Sequence, residues 1–104
     1  MLSAPELPTA VRCLFDGLAL SVGDIAAQLG LSVPEDLSVM GFDNIAPAVH
    51  ARPALSTFDS DTLASAHALA GMLVKRLADP GAPPVHRLIR PRPVLRQSHG
   101  PAPR

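Results

Sequence analysis

The chain has 104 residues, enough for one small domain, and its nine Lys and Arg balance nine Asp and Glu. It is 47% hydrophobic and 17% charged, which is typical of a globular protein and argues against wholesale disorder. Because the net charge is zero, the chain as a whole has no electrostatic attraction to nucleic acid or to an anionic membrane. Its single cysteine, Cys13, excludes an internal disulfide and any metal site built from several cysteines.

The two ends of the sequence lack a periodic apolar pattern. Residues 1–7 have no positively charged start and no apolar run of signal-peptide length, so we interpret them as a short leader. Residues 99–104 are expected to be a disordered tail, which leaves residues 8–98 as the folded domain. Nowhere do about 18 apolar residues follow one another, so no membrane span is predicted and we expect a cytoplasmic protein.

The first half of the domain has the pattern of a βαβ unit. Residues 9–14 and 37–42 are short, mostly apolar and β-prone, as buried parallel strands require. Between them, apolar residues recur every three to four positions from 17 to 29, which predicts a helix that Asp16 caps and Gly30 ends. A right-handed crossover of this kind places the two strands parallel to each other.

The second half is expected to contribute a turn, a crossing and a longer helix. Residues 45–53 are predicted to be irregular or a short helical turn, and residues 55–58 a brief extended crossing. An apolar stripe from 61 to 78 predicts a core-facing helix, capped by one of the polar residues 59–61.

Two β-prone runs near the end, residues 85–90 and 93–97, are predicted as terminal strands. Pro91 and Pro93 lack the backbone donor that a central strand needs, so these strands should lie at an edge or a bend. The helical stripes and the apolar strand residues together predict the core. Its members are Val11, Cys13, Leu18, Val22, Ile25, Val39, Leu69 and Leu73.

Each of the two paired strands ends in a carboxylate. Asp16 follows the first strand and Asp43 the second, and the carboxyl ends of parallel strands face one crevice, where open α/β sheets bind their ligands. Two such carboxylates can accept hydrogen bonds from ligand hydroxyls or amines, divide acid and base roles, or share a metal ion. The alternative is purely structural: Asp16 caps its helix, and Asp43 with Asn44 forms a turn.

Other chemistry finds little support in the sequence. The four histidines lack the paired spacing of metal ligands, and neither a G-x-S-x-G elbow nor a glycine-rich phosphate loop is present, so no cofactor is predicted. Residues 24–30 (DIAAQLG) are similar to part of a helix-turn-helix, but Val33-Pro34 and a β-prone run follow where a recognition helix should stand. An enzyme that used Asp16 and Asp43 would lack a nucleophile and a phosphate site.

A series of motifs in one order and spacing resembles the sensor domain of LacI/GalR-type transcriptional regulators. Its main members are PTAV at 8–11, Asp16, Gly30, VPED at 33–36, GFDN at 41–44, PALST at 53–57, KRL at 75–77 and VLRQS at 94–98. In that family a PTAV-like strand leads to an aspartate, an alanine-rich helix, a G-x-x-x-P-x-D turn and a G-[FY]-D-[DN] strand end. The resemblance covers residues 8–101, nearly the whole chain.

The resemblance implies an α/β fold. It would be part of a periplasmic-binding-protein-like (type I) lobe, with a parallel βαβ core, a long second helix and C-terminal edge strands. Asp16, Asp43 and Phe15 would contact a small effector of the sugar or nucleobase class, and Phe15 stands where the family often has Asn. Asp16→Ala would then weaken effector binding and leave the fold intact. Residues that cross between lobes would act as hinges, namely Gly41, Phe42, Asn44, Ser56 and Thr57.

The resemblance also implies a role for the chain. We expect the effector-sensing C-terminal portion of a regulator, not an enzyme, which would contact DNA only through a helix-turn-helix absent from this sequence. A homodimer is one expected assembly, and no membrane partner is expected. The alternatives are a non-functional or split-gene remnant of such a regulator, a solute-binding protein, or a small α/β enzyme that uses Asp16 and Asp43.

Overall fold

Short strands alternate with helices through residues 6–103, the part of the chain that this computed structural model describes. Residues 1–5 of the predicted leader and Arg104 of the predicted tail lie outside the described residues. The elements in chain order are β1 (Ala10–Arg12), α1 (Asp16–Gln28), β2 (Ser38–Met40), α2 (Ala46–His50), β3 (Thr57–Asp59), α3 (Thr62–Ala78) and β4 (Arg92–Val94).

The predicted βαβ unit is confirmed. β1 pairs with β2 in parallel, with Val11 opposite Val39, and α1 forms the crossover between them. The segment after Gly30 leads directly to β2, so within the described residues no recognition helix follows the helix-turn-helix-like sequence in α1. None of the helices in the described part of the chain is long and apolar enough to cross a lipid bilayer.

β3 and β4 extend this arrangement beyond β2. A parallel bridge joins Met40 to Ser56, and the backbone N–H of Gly41 donates to the Ser56 carbonyl at 3.0 Å. β4 pairs with β3 in the antiparallel direction, with Phe58 opposite Pro93. The order across the molecule is therefore β1, β2, β3, β4. The edge position of β4 agrees with the proline argument, because Pro93 has no backbone N–H to donate to a further strand.

β1, β2 and β3 all run in the same direction, so their carboxyl ends meet at one edge of the sheet. We call this edge the strand-end rim. It consists of Phe15 and Asp16 after β1, residues 41–45 after β2, and β3 itself.

The core lies on the face of the sheet that α1 covers. Its buried apolar members are Cys13, Ala19, Ala26, Leu37, Val39, Ala48 and Leu55. The residues that α1 contributes to this core are alanines, Ala19 and Ala26, and their small side chains let α1 lie close to β2. Of the predicted core, Cys13 and Val39 are buried, and Val11 and Val22 are partly buried against them.

The prediction that α3 faces the core is wrong for this chain. Asp61 caps the helix by accepting a hydrogen bond from the Ala64 N–H, as one of the alternatives predicted, yet no residue of the helix is buried. Leu69 is 67% exposed and Leu73 is 58% exposed, and the predicted core residues Leu18 and Ile25 of α1 are also exposed. An apolar stripe becomes core only where another surface lies opposite it, and α1 and the sheet already pack against each other.

The shape of the molecule reflects this exposed helix. Its radius of gyration is 18.3 Å and its longest dimension is 57 Å, whereas a compact chain of 100 residues has a radius of gyration of about 13 Å. The extended form leaves apolar surface of α3 in contact with solvent.

The predicted strand over residues 85–90 is also wrong. These residues have no regular secondary structure, and β4 is confined to Arg92–Val94. Arg87 and Ile89 instead line a shallow groove against Leu69 of α3. A β-prone run needs a neighbouring strand, and β3 pairs with residues 92–94.

The C-terminal segment contacts the sheet at Ser98, His99 and Gly100. The Ser98 hydroxyl donates to the Val39 carbonyl at 2.6 Å and accepts from the Ser56 N–H at 2.8 Å, so it links β2 to the start of β3. His99 Nδ1 lies 2.7 Å from the Ser56 hydroxyl, and the Gly100 N–H donates to Ser38. Backbone N–H and C=O groups of β2 and residue 56 that have no partner in a strand ladder need another partner, and Ser98 supplies it.

Removal of the Ser98 hydroxyl should destabilise the fold. Ser98→Ala leaves the buried Val39 carbonyl without one donor and the Ser56 N–H without its acceptor, a loss of about 1 to 3 kcal/mol. Chemical denaturation followed by circular dichroism measures this change. Ser21→Ala is the control, because the exposed Ser21 hydroxyl bonds only its own helix, at the Gly17 carbonyl. Equal stabilities of the two variants would contradict the role of Ser98.

Candidate functional site

Asp16 lies at the centre of the strand-end rim and is fully buried. Its Oδ1 accepts a hydrogen bond from the Thr57 hydroxyl at 2.5 Å, and its Oδ2 accepts one from the Ile45 backbone N–H at 2.9 Å. Its own backbone N–H donates to the Phe42 carbonyl at 2.9 Å. One residue therefore ties the start of α1 to the segment after β2 and to the first residue of β3.

This geometry corrects the expectation that Asp16 caps α1. Asp16 is the first residue inside the helix, and the capping position belongs to Phe15, which has an extended backbone and no side-chain cap bond. The Asp16 carboxylate reaches across to β3 instead. Asp16→Ala would leave the buried Thr57 hydroxyl and the Ile45 N–H without their acceptor, so it should affect the fold as well as any ligand.

Gly41 makes the burial of Asp16 possible. A Cβ atom built on Gly41 would lie 2.1 Å from Asp16 Oδ1 and 3.0 Å from the Asp16 Cα. No side chain fits in that space, since one of the clashing atoms belongs to the backbone. Glycine is thus required at the first position of the GFDN motif, because Asp16 lies too close for a side chain.

Phe15 and Asp43, the other two predicted effector contacts, are exposed at the same rim. Phe15 is 50% exposed, and its ring lies over Gly17, 3.6 Å from the position of a Cβ there. Asp43 has a φ of 110° and Asn44 a φ of 58°, a region that L-residues rarely adopt and that Asp and Asn tolerate best. This turn leads the chain from β2 into α2.

Asn44 connects this turn to β3 and to the returning C-terminal segment. Its side-chain amide donates to Asp59 Oδ2 at 3.2 Å, and its carbonyl oxygen accepts from the Arg96 guanidinium at 2.7 Å. Arg96 also donates to the Leu55 carbonyl at 2.8 Å. The predicted hinge residue Asn44 therefore bridges β3 and the segment that follows β4.

Asp59 is a rim carboxylate that the sequence reasoning treated only as a possible helix cap. The backbone N–H of Asp61, 2.8 Å from Asp59 Oδ1, lowers the pKa of this carboxyl, and the Asn44 amide lowers it further. Arg92 adds a weaker attraction from 3.9 Å. These donors favour the charged form, so Asp59 is ionised at neutral pH.

The remaining predicted hinge residues lie on both faces of the sheet. Ser56 and Thr57 are fully buried, Ser56 through its bonds to Gly41, Ser98 and Arg96, and Thr57 against Asp16. The rings of Phe42 and Phe58 stack on the face opposite α1, with centroids 6.0 Å apart, and the Arg12 guanidinium lies 5.8 Å from each. This arrangement leaves an aromatic pair and a cation beside the rim.

Two other features do not add to the rim. An apolar groove between α1 and residues 51–55 lies away from it, on the face that α1 covers. Within residues 6–103, no group of three or more His, Cys, Asp or Glu side chains is arranged to hold a metal ion. Asp16 is buried and hydrogen-bonded to Thr57 and Ile45, whereas Asp43 is exposed.

Sequence reasoning missed the groups that hold Asp16. Nothing in the spacing of Thr57 or Ile45 marks them as partners of residue 16, because 41 and 29 positions separate the pairs. Glycine at 41 directly before Phe-Asp-Asn was the available signal, since a glycine at a strand end often marks close backbone approach.

Comparisons with known proteins show the family to which the chain belongs. Residues 1–99 match the family described as periplasmic binding protein-like domain. The HTH-type transcriptional repressor PurR of Escherichia coli O139:H28 is 34% identical over 98 residues, which are 94% of this chain. The chain belongs to the LacI/GalR family of regulators with this sensor domain. Its relatives are transcriptional regulators and not enzymes.

Solved structures of LacI-family regulators have the same fold. One from Sanguibacter keddieii is 34% identical, with a TM-score of 0.83 over 96% of this chain and 38% of that one. One from Enterococcus faecium with bound ribose is 28% identical, with a TM-score of 0.81 over 92% of this chain and 36% of that one. The LacI-type chain described here spans 29% of the length of the curated PurR relative. Both the predicted family and the predicted α/β fold are confirmed.

Gly41→Ala should destabilise the chain by about 1 to 3 kcal/mol, because the new methyl group overlaps the Asp16 carboxylate and backbone. Gly23→Ala is the matched control. Nothing lies within 4 Å of a Cβ at Gly23 in α1, so alanine there should stabilise the helix by about 0.5 to 1 kcal/mol. Urea denaturation of both variants measures the difference, and a neutral Gly41→Ala would show that the rim is not closely packed.

The lowered pKa of Asp59 predicts a loss of stability in acid. Because the folded-state pKa lies below the unfolded value of about 3.9, Asp59 stabilises the fold above that value. This contribution disappears as the pH falls through the folded-state pKa. The melting temperature of Asp59→Asn should therefore decrease less than that of the unmodified chain between about pH 5 and about pH 2. Asp24→Asn on the exposed surface of α1 is the control for the change of charge. Parallel curves for Asp59→Asn and the unmodified chain would refute the assignment.

Proposed function

We propose that this chain is the effector-sensing part of a LacI/GalR-type regulator and binds a small carbohydrate at the strand-end rim. The observation that carries the proposal is the convergence of three parallel strand ends, with Phe15 and Asp43 exposed above the buried Asp16. Ligands of open α/β sheets bind at this edge. The ribose in the Enterococcus faecium relative supports the choice of ligand class.

The two exposed side chains supply what a sugar requires. The Phe15 ring is an apolar surface for the C–H groups of the sugar, and the Asp43 carboxylate accepts hydrogen bonds from its hydroxyls. Asp16 lies beneath them, with Oδ1 bonded to the Thr57 hydroxyl and Oδ2 to the Ile45 N–H. The proposal keeps all three predicted effector contacts, with Asp16 as the floor of the site.

The turn at residues 41–44 and the buried Ser56 and Thr57 would act as the hinge of this sensor. They connect β2 to β3 through single hydrogen bonds, such as the Asp43 N–H to the Phe58 carbonyl at 2.8 Å. Small rotations at such crossings change how closely two lobes approach. DNA contact would belong to a helix-turn-helix outside the segment that this chain matches, and the site of action would be the cytoplasm.

One observation favours a second candidate, a remnant that needs complementary segments. The apolar stripe of α3 is exposed, and a parallel sheet is usually covered on both faces. A second copy of the chain or the remainder of a regulator would cover these surfaces. The two candidates differ in whether the isolated chain unfolds cooperatively and binds a sugar.

Binding of D-ribose to the full 104-residue chain tests the proposal. We expect a cooperative thermal transition that D-ribose raises, because a ligand stabilises the folded state to which it binds. Asp43→Asn should weaken the affinity measured by calorimetry roughly tenfold or more, since it removes a charged acceptor. Asparagine also tolerates the positive φ at this position, so the turn should be kept.

Two controls make this result interpretable. L-ribose should bind less tightly than D-ribose if the rim is a stereospecific site. Asp24→Asn, an equal change of charge on the exposed surface of α1, should leave the affinity unchanged. A cooperative transition with no response to D-ribose would refute the proposed ligand, and aggregation without a transition would favour the remnant.

A further inference from the structure

The hydrogen bond between Thr57 and Asp16 connects the strand-end rim to a long part of the chain. Thr57 is the first residue of β3, which leads through Asp59 into α3. β4 returns from beyond α3 and pairs with β3 along its whole length. A shift of β3 is therefore transmitted to α3 and β4, while Asp16 belongs to α1 on the other side of the rim.

The two oxygens of Asp16 hold different parts of the rim. Thr57 binds Oδ1 through a side-chain hydroxyl at 2.5 Å, whereas Ile45 binds Oδ2 through its backbone N–H at 2.9 Å. The first bond restrains β3 and the second restrains the segment after β2. Gly41 lies so close to Oδ1 that a Cβ atom there would overlap it.

A hydroxyl group that enters the rim meets an acceptor that is already engaged. Asp16 has no solvent exposure, so contact with it requires some displacement of the groups that cover it. The Thr57 hydroxyl belongs to a side chain that can rotate away from Oδ1, whereas the Ile45 N–H is fixed by the backbone turn. Oδ1 is thus the oxygen at which one donor can replace another.

We propose that Thr57 is a positioning residue that couples occupation of the strand-end rim to β3. A sugar hydroxyl that reaches Asp16 takes the place of the Thr57 hydroxyl at Oδ1 and releases β3, while Ile45 keeps Oδ2. The coupling rests on the proposed function, because it needs a ligand at the rim. The role of Thr57 in holding β3 does not need one and is tested without ligand.

Backbone amides report on each bond separately. The Ile45 N–H reports on Asp16 Oδ2, and the N–H groups of Gly41 and Asp43, which donate to the Ser56 and Phe58 carbonyls, report on the contact between β2 and β3. Their hydrogen exchange is measured by NMR on the full chain. Variants at Thr57 form a series: Ser keeps the hydroxyl, Cys has a weaker donor of similar size, and Val has the same shape and no donor.

Without ligand, exchange at Gly41 and Asp43 should be about tenfold faster or more in Thr57→Val, because a hydrogen bond to a buried charge is lost. The exchange rates of Thr57→Ser should remain close to those of the unmodified chain. Those of Thr57→Cys should lie between the rates of Thr57→Ser and Thr57→Val. If Thr57→Val does not fold, the comparison of the exchange rates of Thr57→Ser and Thr57→Cys still tests the positioning role. Equal exchange in Ser, Cys and the unmodified chain would overturn the positioning role.

With D-ribose, the unmodified chain and Thr57→Ser should show faster exchange at Gly41 and Asp43 and constant exchange at Ile45. Thr57→Cys should bind D-ribose and show a reduced response, since β3 is already partly released. An equal response in Cys and Ser would overturn the coupling although the proposed function holds. If calorimetry detects no D-ribose binding to the unmodified chain, the proposed function fails, the coupling fails with it, and the ligand-free series alone decides the role of Thr57.

Discussion

A carboxylate without solvent exposure needs donors from the protein, and the organisation of the strand ends follows from how Asp16 obtains them. An isolated buried charge costs several kcal/mol, so the Thr57 hydroxyl and the Ile45 N–H are required together. Each donor comes from a different part of the chain, and Gly41 leaves the space in which they meet. The rim is therefore ordered by one residue that three segments share.

The strands themselves are too short to supply this order. Each contains three residues, so their ladders make few backbone hydrogen bonds, and side chains connect them instead. Ser98 links β2 to the start of β3 at one end, and Asn44 links the turn after β2 to Asp59 at the other. A sheet held in this way can change its pairing locally when one polar contact changes, which suits a module that senses a ligand.

The proposed function as part of a larger regulator would account for the exposed surfaces of the molecule. The core occupies the α1 side of the sheet, while the opposite face presents Phe42 and Phe58 and α3 extends away from both. The chain accounts for 29% of its PurR relative. In the proposed function, the surfaces left open here are those through which a signal from the rim would reach the rest of such a regulator.

Sequence alone determined the βαβ unit, the limits of α3, the edge position of β4 and the family, because periodicity, capping and motif order are local properties of the chain. It placed Asp16 and Asp43 at one edge through the direction of parallel strands. Only the tertiary structure decided that Asp16 is buried, that Thr57 holds it, and that the apolar stripe of α3 is exposed. Those facts depend on which distant segments meet, and neither residue spacing nor hydrophobicity specifies contacts across 41 positions.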